Sequence, residues 1–119
     1  KNNNFNEAKT ILDKIDLNLG NKNNQILKKI IIFYNAQASL ELNDKKSLDE
    51  NIGKLLAFGD NWALLAHEIR GHYYFKNEDY INAEKDFNKI LNEQISSRDI
   101  RARALEMMQN IKMYNDINN

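Results

Sequence analysis

Apolar residues recur along most of the chain at spacings of three and four, which is the period of an amphipathic α-helix. The first such segment, residues 5–17, places five apolar residues on one stripe: Phe5, Ala8, Ile11, Leu12 and Ile15. A longer segment, residues 23–42, is apolar over a wide arc that includes Ile26, Leu27, Ile30, Ile31, Phe33, Tyr34, Ala38 and Leu42. Such a wide arc is typical of an interior helix that is covered on more than one side.

Short polar breaks divide the rest of the chain into four more helices. They are predicted over residues 48–58, 62–76, 80–92 and 98–115. The sequence contains no proline and only four glycines, and no stretch alternates in the way that a half-buried strand would. The predicted fold class is therefore all-α, with six helices.

Several helix starts carry residues that cap free backbone amides. Ser47, followed by Glu50, has the form of a capping box. After Gly59, we expect Asp60 or Asn61 to cap the next helix. These signals fix where the chain turns, because the breaks between them are only a few residues long.

The most informative stretch combines two small residues with three aromatic ones. Gly71 and Ala83 lie on two neighbouring predicted helices, and Tyr74, Tyr80 and Phe87 supply bulk around them. The break between these helices is short, so they must fold back as an antiparallel αα-hairpin. We expect the two backbones to pass close together at Gly71 and Ala83.

This spacing resembles a tetratricopeptide repeat, a unit of about 34 residues. The resemblance implies one right-handed α-solenoid domain over residues 1–119. It divides the domain into a half-repeat, a degenerate repeat, a clear repeat and a C-terminal capping helix, at residues 1–19, 22–58, 61–94 and 97–115. A lone half-repeat exposes an apolar face. We therefore expect either a further N-terminal segment or contact with a second copy.

Charge and composition exclude several classes of function. The chain has 17 basic and 17 acidic residues, whereas proteins that bind nucleic acid normally have a basic excess. There is no cysteine, and therefore no disulfide or thiolate metal site. No run of about 18 apolar residues is present, so membrane contact is not expected within this chain. No motif for a cofactor or a catalytic set is present.

A closer resemblance is to the C-terminal part of YfgM-like tetratricopeptide proteins, over about residues 59–111. The residues that carry it are Trp62, Ala63, Ala66, Glu68, Arg70, Gly71, Ala83, Arg103, Ala104, Glu106, Met107 and Met108. The resemblance implies the soluble part of a protein anchored upstream in a bacterial inner membrane. It also implies a periplasmic location and association with the protein-export translocon or with periplasmic chaperones. The chain departs from the repeat pattern by lacking a turn glycine at residues 77–79.

The one string that suggests catalysis runs from His67 to His72. Histidines that share a metal on a helix are four residues apart, but these are five apart and point to different faces. We therefore interpret both as structural. Arg70 stands where repeats usually bury leucine, and we expect its guanidinium to reach Glu68 or Glu84.

Four residues are predicted to line a protein-binding groove by the repeat resemblance: Glu68, His72, Phe75 and Lys76. Repeats that clamp a C-terminal carboxylate carry lysine and asparagine at the positions of Glu68 and His72. Glu68 would repel such a ligand. An equally open alternative is that the four are solvated side chains on the concave face.

The predicted function is a non-enzymatic protein-interaction module without cofactors. By resemblance, it would be a membrane-tethered periplasmic accessory in protein export or envelope-protein folding. The alternative is a self-assembling tetratricopeptide scaffold in another compartment, which would form homo-oligomers through the half-repeat.

Overall fold

The computed structural model describes residues 22–118, which form five α-helices and no strand. The helices are α1 (Lys22–Leu42), α2 (Lys45–Phe58), α3 (Asp60–Lys76), α4 (Tyr80–Asn92) and α5 (Arg98–Asn118). The all-α class is confirmed for this part of the chain. The predicted half-repeat, residues 1–19, lies outside the described residues.

The start of α2 differs from the prediction. Asp44 is the N-cap, and its carboxylate accepts a hydrogen bond of 3.2 Å from the backbone amide of Ser47. The helix therefore begins three residues earlier than predicted, at Lys45 instead of residue 48, and Ser47 lies in its first turn. The Ser47 hydroxyl instead accepts a hydrogen bond of 2.7 Å from the Ser39 hydroxyl, which joins α2 to α1. Because the helix already starts at Lys45, the amide of Glu50, which Ser47 was expected to cap, lies beyond the first turn and no longer needs a side-chain cap.

The turn between α2 and α3 depends on backbone conformation rather than on a side-chain cap. Gly59 is the N-cap of α3 and has φ of 75°, a left-handed conformation that glycine adopts without steric cost. Its amide donates to the carbonyl of Leu56. No side chain caps the start of α3, so the prediction for Asp60 or Asn61 was wrong. Asp79 does cap α4, through a hydrogen bond of 3.3 Å from the amide of Asn82.

The helices pack in sequence, each against the next, and α1 also packs against α3. Two apolar clusters result. The first joins α1, α2 and α3 through Ile31, Ile32, Ala36, Leu48, Ile52, Leu55, Ala66 and Ile69. The second joins α3, α4 and α5 through Leu64, Ala83, Phe87, Ile90, Ile100, Ala104 and Ile111. Since α3 contributes to both clusters, it is the central element of the described fold.

Gly71 makes room for an aromatic ring. A Cβ atom built on Gly71 would lie 2.8 Å from Cζ of Phe87, and the Phe87 side chain is fully buried. Ala83 is fully buried on the same helix as Phe87, while Tyr74 and Tyr80 are partly buried against the second cluster. We expected a second backbone beside Gly71. The atoms nearest to a Cβ at this position instead belong to the Phe87 ring.

Several apolar residues of α1 are exposed. Ile26, Leu27, Ile30 and Tyr34 are 55%, 44%, 37% and 57% exposed, and their spacing places them on one face of the helix. This face of α1 does not show the burial on several sides that the wide apolar arc predicted. We call these four residues the α1 stripe.

Replacement of Gly71 by alanine should destabilise the fold, although alanine is the better helix former. Overpacking against Phe87 should lower the free energy of unfolding by about 1–3 kcal/mol. Gly53, in the middle of α2, is a matched control because a Cβ there meets no atom within 4 Å. Gly53→Ala should raise the free energy of unfolding by about 0.4–1 kcal/mol. Urea titration of both variants measures the difference.

The double variant Gly71→Ala, Phe87→Leu shows whether the ring is the cause. Because leucine has no atoms in the place of the outer ring, the alanine should cost less in this background than in the wild type. An alanine at position 71 that stabilises the protein as much as the alanine at position 53 would contradict the contact.

Candidate protein-binding groove

An open groove with a volume of about 620 Å³ lies between α1, α3 and α5. Its lining consists of Phe33, Gln37, Leu40, Glu41, Leu65, Glu68, Ile69, His72 and Arg103. The α1 residues and the α3 residues each recur at spacings of three and four, so each helix turns one face to the groove. Four lining residues are apolar and buried or half-buried: Phe33, Leu40, Leu65 and Ile69; we call these four the floor. Of the five polar lining residues, Gln37, Glu41 and Arg103 are exposed.

A bidentate ion pair closes one side of the groove. Arg103 on α5 donates from Nε to Oε2 of Glu68 on α3 over 2.6 Å, and from Nη2 to Oε1 over 3.1 Å. The Glu68 side chain is 12% exposed and that of Arg103 is 51% exposed. The hydrogen bonds to Glu68 raise the pKa of the Arg103 guanidinium above its ordinary value. Glu68 therefore does not present a free carboxylate to a ligand, and the predicted repulsion of an acidic partner is largely cancelled.

His72 is a neutral member of the lining. Burial lowers the pKa of its imidazole below the ordinary value, and Arg103 adds to this effect while Glu68 opposes it. The ring also packs edge-on against Phe87, with 5.4 Å between the ring centroids. His72 consequently joins the groove to the α3–α4 contact.

The structure does not bring Phe75 and Lys76 into the groove, so the predicted set of four is corrected to Glu68 and His72. Phe75 packs against Tyr80 and Tyr114, with ring centroids 5.4 and 5.5 Å away. The Lys76 ammonium donates to the main-chain carbonyls of Leu40 and Glu41 over 3.2 and 3.3 Å. A cation there stabilises the C-terminal end of α1.

A second polar cluster lies behind the groove, in the contact between α3 and α4. The Asp86 side chain is 4% exposed and accepts hydrogen bonds of 2.8–3.1 Å from Nε and Nη2 of Arg70. Nδ1 of His67 lies 2.9 Å from Oδ1 of Asp86. Because a carboxylate only accepts hydrogen bonds, the His67 ring carries its proton on Nδ1. The hydrogen bonds from Arg70 to Asp86 raise the pKa of the Arg70 guanidinium, against the opposing effect of burial.

The sequence prediction for Arg70 named Glu68 and Glu84, and it was wrong because it overlooked Asp86. A signal was available. Ala83, Asp86, Phe87 and Ile90 follow one another at helical spacing, which places a carboxylate within the apolar stripe of α4. A buried carboxylate requires a partner of opposite charge or several hydrogen-bond donors.

The two histidines have separate environments. His67 is bonded to Asp86, whereas His72 lines the groove. Among the residues that the structure describes, no three histidine, aspartate or glutamate side chains are grouped so that they could hold a metal ion.

Comparisons with protein-family models, with curated proteins and with solved structures find no match to this chain. None of the helices in residues 22–118 has the length and hydrophobicity needed to cross a bilayer. Function must therefore be argued from the groove and its surroundings.

Asp86→Asn should destabilise the protein strongly. The variant leaves the partly buried Arg70 guanidinium without its counter-charge, and removal of one member of a buried ion pair costs about 3–5 kcal/mol. Because Arg70 is 29% exposed, we expect about 2–4 kcal/mol, measured by urea titration. Asp49→Asn, in the exposed pair of Lys45 and Asp49, is the matched control and should change little. Equal effects of the two variants would contradict the role of Asp86.

Proposed function

We propose that this chain is a non-enzymatic protein-interaction module whose groove binds a segment of a partner protein. The observation that carries the proposal is the composition of the groove. Its floor is apolar, with Phe33, Leu40, Leu65 and Ile69, and its edges are polar. Protein–protein interfaces combine an apolar centre with a polar rim in this way.

The finer part of the proposal is a tetratricopeptide-like solenoid. The predicted segments 22–58 and 61–94 each correspond to one pair of helices, α1 with α2 and α3 with α4. The alternate helices α1, α3 and α5 all contribute to the groove, and α1 packs against α3. In a solenoid of helix pairs, the first helices of successive pairs form one continuous surface. The arrangement of the described helices supports this type of fold.

The cellular setting follows only from the resemblance of residues 59–111 to YfgM-like proteins. We propose on that basis that the chain belongs to a membrane-tethered periplasmic accessory. Its partners would be the translocon or periplasmic chaperones, and its role would be in protein export or envelope-protein folding.

Site-specific photo-crosslinking in intact cells tests both parts of the proposal. A photoreactive amino acid at Gln37, which is exposed in the groove, should form adducts with a partner protein. The same amino acid at Lys54, exposed on α2 away from the groove, is the matched control and should form few. Mass spectrometry of the adducts identifies the partner.

The pattern of adducts tests the two parts of the proposal separately: binding in the groove and the periplasmic role. Equal adducts at the two positions would contradict binding in the groove. Adducts confined to position 37 but formed with proteins of another compartment would contradict only the periplasmic role.

A second candidate function is a self-assembling scaffold, favoured by the α1 stripe. Four apolar side chains that are 37–57% exposed on one helix face are typical of a contact surface. In this alternative, copies of the chain associate through the stripe, and the assembly presents several grooves at once.

Ile26→Glu tests the scaffold hypothesis, because a charge within an apolar contact disfavours association. Light scattering over a range of protein concentrations should show oligomers for the wild type and monomers for the variant. Glu50→Lys, a charge change on the exposed side of α2, should leave the mass unaltered. A wild-type protein that stays monomeric at high concentration would contradict the hypothesis.

A further inference from the structure

The lining residues of the groove carry more negative than positive charge. Glu41, Glu68 and Arg103 line it, and Glu68 is bound to Arg103 by two hydrogen bonds. Burial lowers the pKa of His72, so at neutral pH its imidazole adds no positive charge. The carboxylate of Glu41 is exposed and makes no ion pair with the residues that the structure describes. One uncompensated negative charge therefore remains in the lining.

Lys76 does not take up this carboxylate. Its ammonium donates to the main-chain carbonyls of Leu40 and Glu41, and so it compensates the partial negative charge at the C-terminal end of α1. Within residues 22–118, no ion pair joins Lys76 to the side chain of Glu41. A cationic group of a partner would therefore find the Glu41 carboxylate unpaired.

The floor of the groove offers little to an extended peptide backbone. Side chains of helices form the whole lining, and residues 22–118 contain no strand whose edge could pair with a peptide. An extended segment laid over Phe33, Leu40, Leu65 and Ile69 would depend on the polar side chains of the lining to satisfy its amide and carbonyl groups. A helix satisfies its own backbone and can present an apolar face to such a surface.

The dimensions also suit a helix. Phe33 and Leu40 are seven residues apart on α1, as are Leu65 and His72 on α3, so the groove extends over about two helical turns or roughly 10 Å. Two turns of a partner helix carry three or four residues at spacings of three and four on one face.

We infer that the groove binds an amphipathic helix of a partner protein that carries a lysine or arginine beside its apolar face, where the basic group pairs with Glu41. The inference rests on the proposed interaction function and specifies its ligand. A partner helix with an acidic residue at that place would instead meet the Glu41 carboxylate, a charge of the same sign.

A displayed library of helical peptides of about 14 residues, four turns long, tests the ligand class. Four positions at i, i+3, i+4 and i+7 and their two flanking positions are randomised, and peptides are selected on the wild-type chain. We expect apolar residues on one face and lysine or arginine at one fixed flanking position. A proline in the centre of a selected peptide should abolish binding, because it breaks the helix.

Glu41→Gln keeps the shape of the side chain and removes its charge. It should weaken the selected basic peptides about three- to tenfold in fluorescence anisotropy, with a smaller effect at high salt. Glu50→Gln, an exposed carboxylate on α2, is the matched control and should not change their affinity.

The outcomes separate the inference from the function on which it rests. Peptides without a basic preference, or with one that Glu41→Gln leaves unchanged, would overturn the pairing with Glu41 and leave the groove as a binding site. Tolerance of the central proline would overturn the helical ligand. A library that yields no binder would overturn the inference and count against the groove itself.

Discussion

The Phe87 ring lies against the backbone of Gly71, and the positions of the other helices follow from this contact. Glycine in the interior of a helix costs about 1 kcal/mol relative to alanine. Full burial of a phenylalanine side chain contributes about 1.5–3 kcal/mol, so the exchange is favourable. Because α3 belongs to both apolar clusters, the depth at which α4 docks on α3 also determines where α5 can pack. The position of α5 at the side of the groove therefore depends on residue 71 being glycine.

Asp86 also restricts how α4 docks on α3, through its charge. Its carboxylate is next to Phe87 in the sequence and buried, with Arg70 and His67 as partners. A buried ion pair adds little net stability, since the cost of removing the charges from water offsets most of their attraction. The ion pair has a larger effect on alternative registers of α4 on α3, which it disfavours. If α4 slid or rotated by one residue, Asp86 would lose Arg70 and remain buried without a counter-charge. The pair therefore favours one register of α4 on α3 over the neighbouring ones.

Helical periodicity predicted all five described helices from the sequence, because their apolar residues must face the two clusters. The exact starts were harder to predict, since more than one residue near each break can serve as the N-cap. Asp44 capped α2 ahead of Ser47, and the backbone of Gly59 replaced a side-chain cap at α3. The environment of Gly71 was predicted as a close approach, but the identity of the neighbouring group required coordinates.

Half of the predicted groove residues lie in the groove, and the reason is geometric. Glu68 and His72 face it because they follow Leu65 at helical spacing, whereas Phe75 and Lys76 lie near the end of α3. There, Phe75 packs against Tyr114 of α5, and Lys76 donates hydrogen bonds to the carbonyls at the end of α1. Glu41 and Arg103 were missed because they come from helices distant in sequence. No local pattern in α3 indicates which residues of α1 and α5 complete its surface.

The ion pair between Glu68 and Arg103 links folding of the last helix to the chemistry of the groove. Arg103 reaches Glu68 only when α5 is docked through Ile100 and Ala104, which are buried in the second cluster. Without α5, Glu68 would add a second free carboxylate to the groove, and one side of the groove would be missing. With α5 in place, Glu68 is neutralised and Glu41 alone carries the charge. The proposed selectivity for a basic partner thus depends on the assembled helices and not on any single one.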